Sequence, residues 1–241
     1  MSKEGAISRK KHYFWGYDIF GYLLPGALFA LIAAKSNSWI YDQLAGHWKN
    51  PELDLGINFV DIIVLLFFVY ILGHVISGIS SFILERLILR NTLAYPTFRM
   101  FNDTEDRIWP IFKFLFPGYF RAYSEEFRES ILSKYKSRYP ELEKNTHDLF
   151  WVCFSWISIN HSTAYRRATH FLELYGFSRN ICMSFVLISF LPLLPHWTGF
   201  IDWWILSGIS LLIAIIMYIN YTKLLRRLND EVYRGFYVGT D

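Results

Sequence analysis

Charge is almost missing from residues 180 to 222, where Asp202 is the only fully ionised side chain. A soluble domain does not leave so long a stretch uncharged, so that class is excluded. Cysteine is scarce too: Cys153 and Cys182 are the whole supply. Both fall on the expected cytoplasmic side or within a span, where no disulfide is expected. Catalytic motifs are also missing. There is no HExxH, no glycine-rich phosphate loop, no GxSxG and no Cys-x-x-Cys. His147-Asp148, His161 and His170 lack metal-ligand spacing, and Ser162 beside His161 reads as a helix break more readily than as a nucleophile. The expectation is no enzyme, no catalytic residue, no metal and no cofactor.

What the chain has instead is long apolar runs. It is 53% hydrophobic with positive mean hydropathy, above the soluble norm. A spanning helix needs roughly 20 mostly apolar residues, because the hydrocarbon core is about 30 Å thick. Ile62 to Leu84 meets that between Asp61 and Glu85, with His74 its one histidine. Trp203 to Thr222 is a second clean span, and Asn180 to Ile201 is another. In the latter, Pro192, Pro195 and Gly199 put a turn near Leu194 to Ile201. The first run, Ile19 to Ala34, is short and spans if Tyr13, Phe14, Trp15 and Tyr17 sit at the interface. A signal peptide with Arg9 to Lys11 as its basic end is the other reading of that run. Asp18, Pro25 and the sequence after Lys35 sit badly with it.

Lysine and arginine set the expected orientation. Lys3, Arg9, Lys10 and Lys11 precede the first run, fourteen Lys or Arg lie in residues 85–179, and Lys223, Arg226, Arg227 and Arg234 follow the last run. The opposite side has Lys35 and Lys49. Trp39, Trp48, Trp197, Trp203 and Trp204 would then belt the outer face and Trp15 the inner one. The expected fold is an all-α integral membrane protein of four transmembrane helices, with a mostly helical cytoplasmic domain between helices 2 and 3. The boundaries are 1–84 for the N-terminal arm and helices 1 and 2, 85–179 for the cytoplasmic domain, and 180–241 for helices 3 and 4 and a tail. Both termini are expected in the cytoplasm of a bacterium, with the spans in its inner membrane.

Within 85–179, residues Asn91 to Arg121 are rich in aromatics and prolines, and read as turns or short helices packed on the inner leaflet or a partner. Ser124 can cap a helix whose first turn carries Glu125 and Glu126, and Pro140 stops it. Thr146 could cap a second helix. Asn160-His161-Ser162 reads as a break, and a helix from about Thr163 runs into the third span.

Two sets of residues are candidates for function. Tyr70, His74, Ser77 and Ser81 share a face of the second span, continued outward by Phe67 and Ile63. This stripe fits a pore lining with a hydrophobic constriction near Phe67. It also fits helix packing, since Gly73, Ser77 and Ser81 form a small-residue series and His74 can bond a neighbouring helix. Asp18 reads as a helix cap, as the partner of an inner-face arginine, or as part of a pore mouth. The second set is Arg99, Lys113, Arg121, Arg166, Arg167 and Arg179, which alternate with aromatics as sites for phosphates and stacked bases do. The other reading of that set is an aromatic core with arginines serving topology or anionic lipid.

FGYLLPG at the first span and LYGFSRN (Leu174 to Asn180) before the third resemble small bacterial four-span membrane effectors of anti-phage defence. The overall plan is most similar to the Hailong-type channel family. The resemblance implies a homo-oligomeric ion channel, with a tetramer favoured. It also implies a nucleotidyltransferase partner that makes single-stranded DNA oligomers, which bind the cytoplasmic part and hold the pore shut. The functional expectation is a ligand-gated channel that depolarises or permeabilises the inner membrane. The alternative is a non-conducting anchor or scaffold that docks a soluble partner through 85–179.

Overall fold

The structure, a computed structural model, describes residues 18–36, 59–102, 110–116, 118–141, 146–193 and 202–239. Every regular element among them is helical. In chain order they are α1 (Leu24–Ser36), α2 (Phe59–Ser80), α3 (Arg90–Thr92), α4 (Pro96–Phe101), α5 (Pro110–Leu115), α6 (Glu125–Arg138), α7 (Thr146–Asn160), α8 (Ser162–Phe190) and α9 (Trp203–Val238). Wider, π-type turns lead into α1 over Asp18–Leu23 and prolong α2 over Ser81–Leu89. Four helices are long and apolar enough to cross a membrane: Asp18–Ser36, Ile62–Phe101, Ser162–Leu193 and Trp204–Val238. The interfacial aromatics Tyr13 to Tyr17, the basic N-terminal arm, Lys49, Trp39, Trp48, Trp197 and the turn at Pro195 and Gly199 lie outside the described residues.

The chain forms two compact units. The first joins residues up to Glu85 with Gly176–Tyr218, and the second joins Arg86–Tyr175 with Ile219 onward. In the first unit, α1 and α2 cross backbone to backbone. A Cβ on Gly26 would sit 2.2 Å from the Val69 carbonyl oxygen, and one on Gly73 2.0 Å from that of Tyr22. Only glycine permits that approach, which is how helices gain contact in lipid, where no hydrophobic force drives them together. The third spanning helix is the central one: 61% of its apolar window is buried, against 22% for each of the others. Ile76, Leu84, Cys182, Met183 and Ala214 form one core cluster, and Ile188, Leu191 and Leu206 form another against Leu28, Phe29 and Ile32.

The second unit packs around aromatic rings. Phe101 meets Tyr233 at 4.9 Å and Tyr123 at 5.9 Å, and Trp156 meets Phe236 at 5.3 Å, all edge to face. The Ser124 hydroxyl accepts the Phe127 N–H at the start of α6, which ends at Arg138 just before Pro140, as the sequence led us to expect. The expected break falls at His161, whose Nδ1 accepts the Ala164 N–H and so caps α8. From there α8 runs unbroken to Phe190.

Two features differ from expectation. The apolar run ending at Leu84 does not end its helix, which continues to Thr92. Glu85 fails to stop it because its charge is paired within the first unit, as described below. The residues after Thr222, expected as a tail, are helical. They prolong α9 to Val238, and Tyr221, Leu224, Leu225, Leu228, Val232, Tyr233 and Phe236 are buried in the second unit.

Candidate functional site: a polar junction of the first three spans

Pro25 begins the site. It has no N–H, and in a regular helix its ring would clash with the carbonyl four residues back, that of Gly21. The wide turn over Asp18–Leu23 relieves the clash. The Gly21 carbonyl then needs a donor from elsewhere, because the residue is buried. Asn180 on α8 supplies one: its Nδ2 donates to the Gly21 oxygen at 2.7 Å. Asn180 is fully buried, and its Oδ1 accepts from Ser80 Oγ at 2.6 Å and from Arg179 Nε at 3.3 Å. One turn on, Ser184 Oγ donates to the Pro25 carbonyl at 3.2 Å and to its own helix at the Asn180 carbonyl. Phe20 and Phe177 close the contact edge to face, with centroids 6.2 Å apart. The segments FGYLLPG and LYGFSRN thus meet directly.

A charged pair adjoins this amide. Arg179 Nη1 lies 3.0 Å from Glu85 Oε2, with side-chain exposures of 8% and 17%. Its Nη2 donates to Ser77 Oγ at 3.2 Å, and Ser81 Oγ donates to the same Glu85 oxygen at 2.8 Å. A buried ion is tolerable only when its partners satisfy it, and Nε, Nη1 and Nη2 of this guanidinium each have one. Toward the other end of the helix, the His74 ring stacks on Tyr22 at 3.8 Å and 18°, and Tyr70 meets His74 edge-on at 4.5 Å.

The sequence-derived stripe is therefore divided. Ile63, Phe67 and His74 are exposed, Tyr70 and Ser81 are half-buried, and Ser77 is buried. Ser77 is engaged by Arg179 of the third span, and Ser81 by Glu85 one turn along its own helix.

The basic set is divided as well. Two members are corrected by burial. Arg179 is held in its ion pair. Arg99 is 7% exposed, donates from Nε to the Leu93 carbonyl at 2.9 Å and lies 5.5 Å from the Phe120 ring centroid. Neither guanidinium is free for a ligand. Lys113 on α5, Arg121 ahead of α6, and Arg166 and Arg167 near the start of α8 are all exposed.

Sequence reasoning missed Asn180, Ser80, Ser184 and Glu85 as members of the site. A signal existed for Asn180: a proline inside a span leaves a carbonyl that some polar side chain must satisfy. Away from the spans, burial and the Asp230 carboxylate, 2.7 Å from its hydroxyl, push the Tyr123 phenol well above its ordinary value. Burial, helped by Arg138, lowers the Lys134 ammonium, which donates to the carbonyls of Tyr237 and Gly239. Burial raises the Cys153 thiol. Among the described residues no group of three His, Cys, Asp or Glu is placed to hold a metal. No protein-family model, curated protein or solved structure matches this chain.

Proposed function

We propose that the chain is one subunit of an oligomeric, ligand-gated channel in a bacterial inner membrane. Both termini and the second unit lie on the cytoplasmic side, and a homotetramer is the favoured assembly. The observation that carries this reading is His74. It sits in the middle of an apolar helix, exposed on the subunit surface among Phe67, Ile71 and Val75. An ionisable side chain at that depth needs water or a polar partner, and a water-filled path between subunits supplies both. The excess of lysine and arginine in 85–179 and after Thr222 supports the orientation. The polar junction serves as the rigid base of each subunit, so opening rearranges the exposed outer half of α2 and leaves the buried charges paired.

The defence role, the nucleotidyltransferase partner and the single-stranded DNA ligand rest on the resemblance alone. Of the basic set, Arg166 and Arg167, exposed near the start of α8, are the residues left to contact such a ligand. The test is ion flux from liposomes holding the purified chain, with and without short single-stranded DNA. His74→Leu should alter flux while leaving insertion and oligomeric mass unchanged. Charge reversal at Arg166 and Arg167 should weaken DNA binding, and the wild-type affinity should fall steeply with salt. Wild-type flux from His74→Leu removes that residue from the conduction path.

The non-conducting scaffold has its own supporting observation. Trp151 and Ile159 are exposed two turns apart on α7, as a protein-docking face would be. A monomer with no flux in either condition selects that reading.

A further inference from the structure

Helix α5 is apolar on both sides, and only one side is covered. Phe112 and Leu115 are half-buried and Phe116 is buried, with the Phe112 and Phe116 rings 6.3 Å apart. Ile111 and Phe114, three residues apart and therefore on one face, are 58% and 83% exposed. Lys113 is exposed beside them, and so is Arg121 beyond the following turn. From Pro110 to Arg121 the chain contains no Asp or Glu. The same unit begins at Arg86, in the direct continuation of α2, where Leu87 and Ile88 are exposed between Arg86 and Arg90.

We propose that Ile111 and Phe114 insert at the boundary between headgroups and acyl chains of the bilayer that holds the spans. Lys113 and Arg121 contact the phosphates of anionic lipids there. Large apolar side chains flanked by basic ones are the composition of an interfacial anchor. At about 100° of turn per residue Lys113 projects from the side of the helix and not from the Ile111–Phe114 face, so a basic group flanks the apolar pair. A lysine so placed keeps its ammonium among the headgroups while the apolar pair inserts. This inference requires only that the chain resides in a membrane, not that it conducts.

The experiment uses the full chain in vesicles of phosphatidylcholine with phosphatidylglycerol. Phe114→Cys carries an environment-sensitive fluorophore, and Glu129→Cys, at an exposed position on α6, is the reference. The native thiols Cys153 and Cys182 are buried and leave the label to the introduced site. The expected result is quenching at position 114 by shallow spin-labelled lipids and shielding from aqueous iodide, the reverse of position 129. Adding Lys113→Glu should reduce the lipid quenching, and more so in the vesicles containing phosphatidylglycerol than in phosphatidylcholine alone. Iodide quenching at 114 equal to that at 129 overturns the proposal. So does protection from both quenchers, which would put protein over this face. A Lys113→Glu change with no effect overturns the role given to anionic lipid. Ile111→Cys repeats the measurement if the first variant folds poorly.

Discussion

Replacing Asn180 with leucine should loosen the first unit, and the reason can be tested by giving back what the site lacks. The substitution keeps the side chain's size and removes its hydrogen bonds to Gly21, Ser80 and Arg179. Ser80 loses little, because its hydroxyl keeps the Ser77 carbonyl at 2.9 Å. A single interhelical bond in a membrane protein is worth about 0.6 kcal/mol. The larger cost is the Gly21 carbonyl left unpaired, about 1–3 kcal/mol. We expect a total of about 2–3 kcal/mol, read by titrating the protein in mixed micelles with denaturing detergent. Labelling of Cys182 reports the opening, since that thiol is buried in the same unit. A Cys153→Ala background removes the other thiol. The decisive variant is Asn180→Leu with Pro25→Ala. Alanine restores an N–H four residues beyond Gly21, so the carbonyl regains a donor from its own helix. The double variant should therefore recover at least about 1 kcal/mol relative to the sum of the two single changes. Strict additivity would refute the claim that Asn180 answers the carbonyl freed by proline.

Two further predictions concern charge. Arg179→Met leaves Glu85 buried without its cation and should cost about 3–5 kcal/mol, most of it recovered by adding Glu85→Leu, which removes the stranded carboxylate. The same detergent titration checks both variants. In the second unit the raised Tyr123 phenol holds its proton in the folded state where the unfolded chain would release it. Its contribution is intact below the ordinary tyrosine value of about 10 and is lost as pH rises beyond it, so stability should fall in that alkaline range. Tyr123→Phe should flatten that fall, measured as thermal midpoints of the second unit's near-ultraviolet circular dichroism against pH.

Much of the fold was legible in the sequence because it rests on local rules. Apolar runs of spanning length, the Ser124 cap before two glutamates, and the break at His161 each depend on residues close together in the chain. The amphipathic pattern of Tyr221 to Phe236 is harder to recognise. Its buried positions recur at helical spacing, but arginines among them resemble a juxtamembrane tail. The stripe on α2 was legible as a face, and its partners were not. Periodicity says which residues share a side of a helix and nothing about what lies across from it.

By itself, then, the sequence determined an all-helical chain with four helices able to cross a membrane, since length and hydropathy suffice for that. It also contained the conditions of the junction: a proline within a span, glycines at Gly26 and Gly73, and Asn180 and Arg179 at the entry to the third run. Only the tertiary structure decided that Asn180 meets Gly21, that Arg179 takes Glu85, and that Arg99 turns inward while Arg166 and Arg167 stay outside. Those choices depend on which helices cross and at what depth. A buried polar group accepts whichever partner the packing brings within about 3 Å, and packing joins residues that the sequence holds far apart.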